Sequence, residues 1–212
     1  MAYLKKISTL GKLIYPSLMW NFSRKQKDLY LTFDDGPHPE ITPWVLKLLK
    51  EYNAKATFFC VGENIDKYPE IFQQLLAEGH SIGNHTYNHL NGWKTSTSAY
   101  LENVEKAERS IHLHSSVKIQ NKLFRPPYGK PSIFQINKLK KRNYQLVMWE
   151  VLSGDFDQEI TSEACLKNVT DYGTSGSILV FHDSEKANKH LRYTLPKVLE
   201  YYKSKGFSFR KI

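Results

Sequence analysis

The sequence predicts an α/β fold, with seven or eight parallel strands curled into a distorted (β/α) barrel. Two observations lead there. Seven strand-like runs alternate with helical periodicities along the chain, which is the pattern of parallel βαβ units. The residues best suited to chemistry, Asp34-Asp35, His85, Arg125, Asp155 and His182, also fall at or just after the ends of different strands. In a barrel those ends converge on one face. A doubly wound open sheet would instead gather them at a single switch point, and five contributing strands are too many for that.

Each element has its own signal. Residues 29–33 form the first strand, with Leu29, Leu31 and Phe33 on one face and Tyr30 and Thr32 on the other. It runs into Asp34-Asp35 and stops at Gly36-Pro37. Thr42-Pro43 opens a helix that carries Val45, Leu48, Leu49 and Tyr52 at helical spacing. Residues 55–61 are a second strand. Pro69 then opens a helix with Ile71, Phe72, Leu75 and Leu76 inward and Gly79 as its stop. A third strand at 80–83 ends at Asn84-His85, and Ser96-Thr97-Ser98 caps a long polar helix through Ile111. Leu123-Phe124 starts a fourth strand, broken by Pro126-Pro127 and followed by a basic helix at 132–142. A fifth strand at 144–149 and a helix at 161–172 follow. The sixth strand, 177–181, is almost continuously apolar, as a strand covered on both faces should be. A helix at 195–205 and a seventh strand at 207–210 complete the chain.

Bulk composition narrows the functional classes. At 212 residues and 41% hydrophobic the chain can bury a sizeable core, and no linker or repeat divides it. One domain over residues 28–212 is expected, after a separate segment at 1–27. A balance of 30 basic to 21 acidic residues, formally +9, favours anionic partners such as wall polymers or membrane surfaces. No stretch interleaves basic and aromatic residues for base stacking, so no nucleic-acid partner is expected. Cys60 and Cys165 have neither metal spacing nor a disulfide framework and read as buried free thiols. Near the N-terminus, Ile7, Leu10, Ile14 and Leu18 lie on one helical face with Lys5, Lys6 and Lys12 nearby. Such a segment docks on anionic lipid or caps its own domain. There is no cleavable signal and no membrane-spanning run, so a cytoplasmic or membrane-peripheral monomer is expected.

The chemistry begins with the adjacent carboxylates, which are costly to bury together unless a cation sits beside them. In His85-Thr86-Tyr87-Asn88-His89 two imidazoles stand four residues apart; on a helix both would share one face and reach one metal ion. Asp34 or Asp35 can add the third ligand of an open catalytic centre, leaving the other carboxylate as a general base. A divalent metal there brings the pKa of water down to about 7.

These stretches, with Thr32-Phe33-Asp34-Asp35-Gly36-Pro37, Arg125-Pro126-Pro127-Tyr128 and the strand end at His182, resemble the ordered motifs of the polysaccharide deacetylases. These are the NodB-homology enzymes of carbohydrate esterase family 4. The resemblance spans residues 28–212 and implies a distorted barrel that removes N-acetyl groups from glycans containing N-acetylglucosamine, either peptidoglycan or chitin-like. It implies one divalent metal, zinc first, with cobalt, nickel or manganese as alternatives. It makes Asp34 the base, Asp35, His85 and His89 the metal ligands, and Arg125 the partner that keeps the base ionised. It also gives the Tyr128 backbone N–H to the oxyanion, His182 to the leaving amine and Asp155 to the tuning of that histidine. Pro127, Tyr128, Phe156 and Val180 would line the substrate site. Three positions depart from the usual pattern: Phe156 replaces Trp, Glu150 replaces Asp and Val180 replaces Leu. The alternatives are a small-molecule amidase on the same fold, or a glycan-binding module without catalysis.

Overall fold

A computed structural model describes residues 15–119 and 121–212. One parallel sheet is built from β1 (Asp28–Asp34), β2 (Thr57–Cys60), β3 (Ser81–Asn84), β4 (Leu123–Phe124), β5 (Gln145–Leu146), β6 (Val151–Leu152), β7 (Ile178–His182) and β8 (Ser208–Arg210). The row runs β5-β4-β3-β2-β1-β7-β6, and β8 pairs with the lower half of β1. The sheet curls into a half-barrel rather than closing. Across its open side Met19 bridges to Val147 and Asn21 to Ser177. Arg24 then forms a two-pronged ion pair with buried Glu150, at 2.7 and 2.8 Å. Of the amphipathic segment expected at the N-terminus, Ile7, Leu10 and Ile14 lie outside the described residues, and Leu18 is buried in the core.

The helices are α1 (Ile41–Glu51), α2 (Gly62–Lys67), α3 (Pro69–Ala77), α4 (Thr97–His114), α5 (Ile133–Lys141), α6 (Ser162–Thr170) and α7 (Asn188–Ser204). No helix among the described residues is long and apolar enough to cross a membrane. Strand alternation sorts the core. Phe33 stacks between Phe58 and Phe181 on the outer face, with ring centroids 5.0 and 5.9 Å away. Leu46 and Leu49 of α1 and Leu195 and Leu199 of α7 belong to the same buried cluster. Phe59, Leu123, Val147 and Ile178 form a separate cluster on the inner side. Burying each large apolar side chain contributes roughly 1.5–3 kcal/mol, so the outer layer fixes the strand ends that carry the site. Cys60 and Cys165 are buried free thiols, as expected.

Several elements differ from the sequence reading. The expected fifth strand at 144–149 shortens to β5, because the carbonyls of Val147 and Met148 turn to the Arg125 guanidinium, and β6 and α2 are elements that reading did not contain. The last helix, expected from 195, starts at Asn188 and runs through Pro196. Residues 85–89 form a loop rather than the helix on which the i, i+4 spacing would align both rings, with Thr86 at φ 66° and His89 at φ 58°. Its backbone N–H groups are taken elsewhere: Thr86 donates to Asn84 Oδ1 and Tyr87 to Asn103 Oδ1. Its carbonyls accept from Gly62 and Glu63 at the start of α2. Gly62 is required there, since a Cβ would sit 2.8 Å from both the Tyr87 ring and the Ala107 backbone.

Candidate active site and metal centre

Four of the six non-glycine residues with positive φ among those described cluster at the barrel mouth: Asp35, Thr86, His89 and Tyr128. Left-handed backbone at such residues costs free energy and persists where the surroundings over-determine it. At Asp35 the surroundings are clear. Asn64 Nδ2 donates to its carbonyl at 2.7 Å. The next residue, Gly36, donates its N–H to buried Asp183 at 3.1 Å. Asp183 also accepts from Thr42 Oγ1 and donates its own N–H to the Asp34 carbonyl. Burial first, against the hydrogen bond from Thr42, pushes the Asp183 carboxyl up to about 8.

Asp35, His85 and His89 converge, with ligand-type atoms all within 4.8 Å of one another. Asp35 Oδ1 lies 3.7 Å from His85 Nε2 and 3.3 Å from His89 Nε2, and it is buried without a hydrogen-bond partner. A buried carboxylate oxygen left bare between two imidazoles is the arrangement that a cation satisfies. The rings are prepared for one. His85 Nδ1 donates to the Arg125 carbonyl at 2.7 Å, which leaves Nε2 as the lone-pair nitrogen. His89 Nδ1 faces the Tyr128 hydroxyl at 3.1 Å. Burial, and then the neighbouring His89, lower His85 to about 3; burial also lowers His89. Both are neutral at physiological pH, as ligands must be. The donor set therefore fits a divalent metal.

On the inner side, Arg125 is wholly buried and donates to Asp34 Oδ1 and to Thr32 Oγ1, each at 2.7 Å. Its other nitrogens hold the Val147 and Met148 carbonyls, and its carbon lies 4.1 Å from the Phe59 ring centroid. Every direction of the guanidinium is used, so Asp34 faces a fixed cation. At the end of the neighbouring strand β7, where His182 is in register with Asp34, Asp155 accepts from His182 twice: from Nδ1 at 2.7 Å and from the backbone N–H at 2.8 Å. Burial opposes a charge on His182, but the Asp155 carboxylate, with help from Asp35 and Asp34, outweighs it and holds the ring up at about 9.

The remaining candidates fall in two groups. Tyr128 is exposed, and its ring centroid lies 4.6 Å from that of His89. Phe156 is half-buried and meets the His182 ring edge-on at 5.1 Å. Pro127 is buried in the turn below Tyr128. Val180 is buried in β7, in register with Thr32 and two residues before His182. Glu150 lies away from this cluster, paired with Arg24 and Ser177. Asp183 already flanks the site in the sequence; its partner Thr42, and Thr32, Asn64 and Asn103, which also hold the site through hydrogen bonds, were not singled out there. Trp149 was also missed; a Cβ on Gly129 would lie 2.6 Å from its ring, so it packs under the Tyr128 turn.

Asp34 held by Arg125, His182 held by Asp155 and a cluster whose donors fit a divalent metal meet at one mouth. Comparison with known proteins gives the family. Residues 22–147 match the family model described as polysaccharide deacetylase, and the chain belongs to that family. It is 36% identical over 185 residues to a peptidoglycan-N-acetylglucosamine deacetylase of Bacillus cereus, covering 86% of this chain and 66% of that protein. Against a chitooligosaccharide deacetylase of Azorhizobium caulinodans the identity is 34%, over 76% of each. Among solved structures, a peptidoglycan N-acetylglucosamine deacetylase in complex with 4-naphthalen-1-yl-N-oxidanyl-benzamide superposes with a TM-score of 0.88 at 30% identity. That match covers 97% of this chain and 95% of the other. The chain thus spans just under two thirds of the Bacillus cereus relative and nearly all of the solved one.

Proposed function

We propose that the chain hydrolyses the acetamido group of N-acetylglucosamine units in a glycan, peptidoglycan first, releasing acetate and leaving a free amine on the sugar. The observation that carries this reading is the meeting of two ion pairs with one cluster. Asp34 is bound to Arg125 and His182 to Asp155 at in-register ends of the neighbouring strands β1 and β7, and the Asp35–His85–His89 cluster begins at the next residue.

Asp34 accepts the proton of the attacking water, whose oxygen bonds to the acetyl carbon. The backbone N–H of Tyr128, presented by its left-handed turn, stabilises the oxyanion. The carbon–nitrogen bond then breaks as His182 passes the proton on Nε2 to the leaving nitrogen, while Asp155 keeps the ring oriented through Nδ1. The proton gained by Asp34 and the one lost by His182 balance through solvent. A divalent cation held by Asp35, His85 and His89, zinc in the first place, would supply Lewis acidity at the carbonyl and at water. Pro127, Phe156 and Val180 complete the substrate pocket in this reading, with Phe156 setting its shape beside the acid.

Acetate release from cell-wall glycan and from N-acetylglucosamine oligomers tests the proposal. Release should disappear when metal is stripped and return when it is restored. Undiminished release from metal-free protein, or none from any glycan, would contradict it.

A further inference from the structure

Trp93 is an exposed aromatic, close in sequence to His89, that the chemistry above does not use. It is 68% exposed, yet it is held on several sides. Its indole N–H donates to the Pro131 carbonyl at 3.1 Å, and its backbone N–H donates to Asn91 Oδ1 at 3.0 Å. The preceding Gly92 is clamped by buried Gln135, whose Nε2 donates to the Gly92 carbonyl at 2.9 Å. A Cβ on Gly92 would stand 2.4 Å from Gln135 Oε1 and 2.7 Å from the Lys130 carbonyl. The ring is fixed by one edge while most of its surface faces water. Lys130 Nζ sits 5.5 Å from the ring centroid. An exposed tryptophan normally gains by packing away. One pinned in place has already lost the freedom that ligand binding would otherwise cost.

Its position is tied to the site. Two chain segments run side by side from the metal cluster. At the inner end His89 meets Tyr128; at the outer end Trp93 meets Lys130 and Pro131. Trp93 follows His89 by four positions, so their Cα atoms lie at most about 14 Å apart. That is within reach of a short oligomer whose acetamide sits at the metal.

We infer that Trp93 and Lys130 form an outer subsite for a neighbouring sugar of the same glycan, one carrying a carboxylate. Trp93 stacks on the apolar face of the pyranose, and Lys130 pairs with the acidic substituent at the ring edge. The inference takes the identity of the ligand from the deacetylase reading above, and its place from the two loops. A neutral polymer would use the ring and leave the lysine idle. An acidic one uses both, and the net charge of +9 favours it.

The test compares acetate release from two six-sugar substrates, a neutral N-acetylglucosamine oligomer and a strand alternating with lactyl-bearing sugars whose carboxylates are free. Trp93→Ala should raise KM on both by about fivefold or more and leave kcat unchanged. Trp93→Phe should recover part of the loss. Lys130→Gln should raise KM about threefold on the acidic strand alone, an effect that added salt weakens in the wild type. An unchanged KM for Trp93→Ala would overturn the subsite, the more so if the variant instead lost self-association or binding to lipid vesicles. Equal effects of Lys130→Gln on both substrates would overturn the acidic ligand. If the wild type released no acetate from either, the deacetylase reading would fail. Calorimetric titration of both oligomers would then decide the subsite alone, Trp93→Ala weakening binding if it exists and leaving it unchanged if it does not.

Discussion

The mouth of the half-barrel holds three histidines, and its two sides treat them in opposite ways. On the metal side buried His85 and half-buried His89 lie beside one another with a single carboxylate between them. Burial wins, and both rings stay neutral. On the acid side His182 is also largely buried, but Asp155 receives both its Nδ1 proton and its backbone N–H. There the carboxylate wins, and the ring is held up at about 9. The lesson is that burial alone does not set the charge of an imidazole. What decides is whether a carboxylate spends both oxygens on that one residue or one oxygen between two rings.

The largest expected effect separates the two adjacent aspartates. Asp34→Asn should cost roughly 10²–10⁴-fold in kcat and leave bound metal unchanged, because Asp34 faces Arg125 and not the imidazoles. Asp35→Asn should instead lose metal. Elemental analysis beside acetate release reads both, and a reversal of the two results would exchange their roles.

Next in size is the acid side. Asp155→Asn removes the strongest influence that raises His182, so the ring loses its proton at lower pH than before. The donor is the protonated form, and activity falls as pH rises through its pKa. The alkaline limb of kcat should therefore move to lower pH, with the acid limb moving much less. These groups titrate as a coupled set, so the direction is the claim. A limb that stays or moves upward would separate Asp155 from His182.

The smallest effect belongs to Tyr128. Its hydroxyl orients His89, and outer partners of metal-bound histidines are typically worth 10–100-fold in affinity. Tyr128 is exposed, so Tyr128→Phe should weaken metal binding by about tenfold, at the low end. Competition with a chelator measures it, and unchanged affinity would mean that the turn alone positions His89.

Much of this arrangement was legible in the sequence, and the residues show why. The alternation of Leu29, Leu31 and Phe33 with Thr32 and Asp34 fixes which side chains enter the barrel. Strand ends then bring Asp34, Asp35, His85, Arg125, Asp155 and His182 to one mouth. What stayed hidden was the hydrogen bonding that holds the loops. Asn103, on α4, fixes the loop of His85 and His89 from fifteen or more residues away. Asp183 and Thr42 lock the turn after Asp35 across 141 residues of sequence. No local pattern encodes such a contact. The same contacts explain why residues 85–89 are not helical: the two imidazoles at i, i+4 still converge, but through a tight loop.

The most direct test of the account is nitrogen NMR of the imidazole rings in metal-stripped protein at neutral pH. His182 should carry protons on both ring nitrogens, while His85 and His89 carry one each, that of His85 on Nδ1. A neutral His182, or a charged His85, would contradict the division of the mouth into a metal side and an acid side.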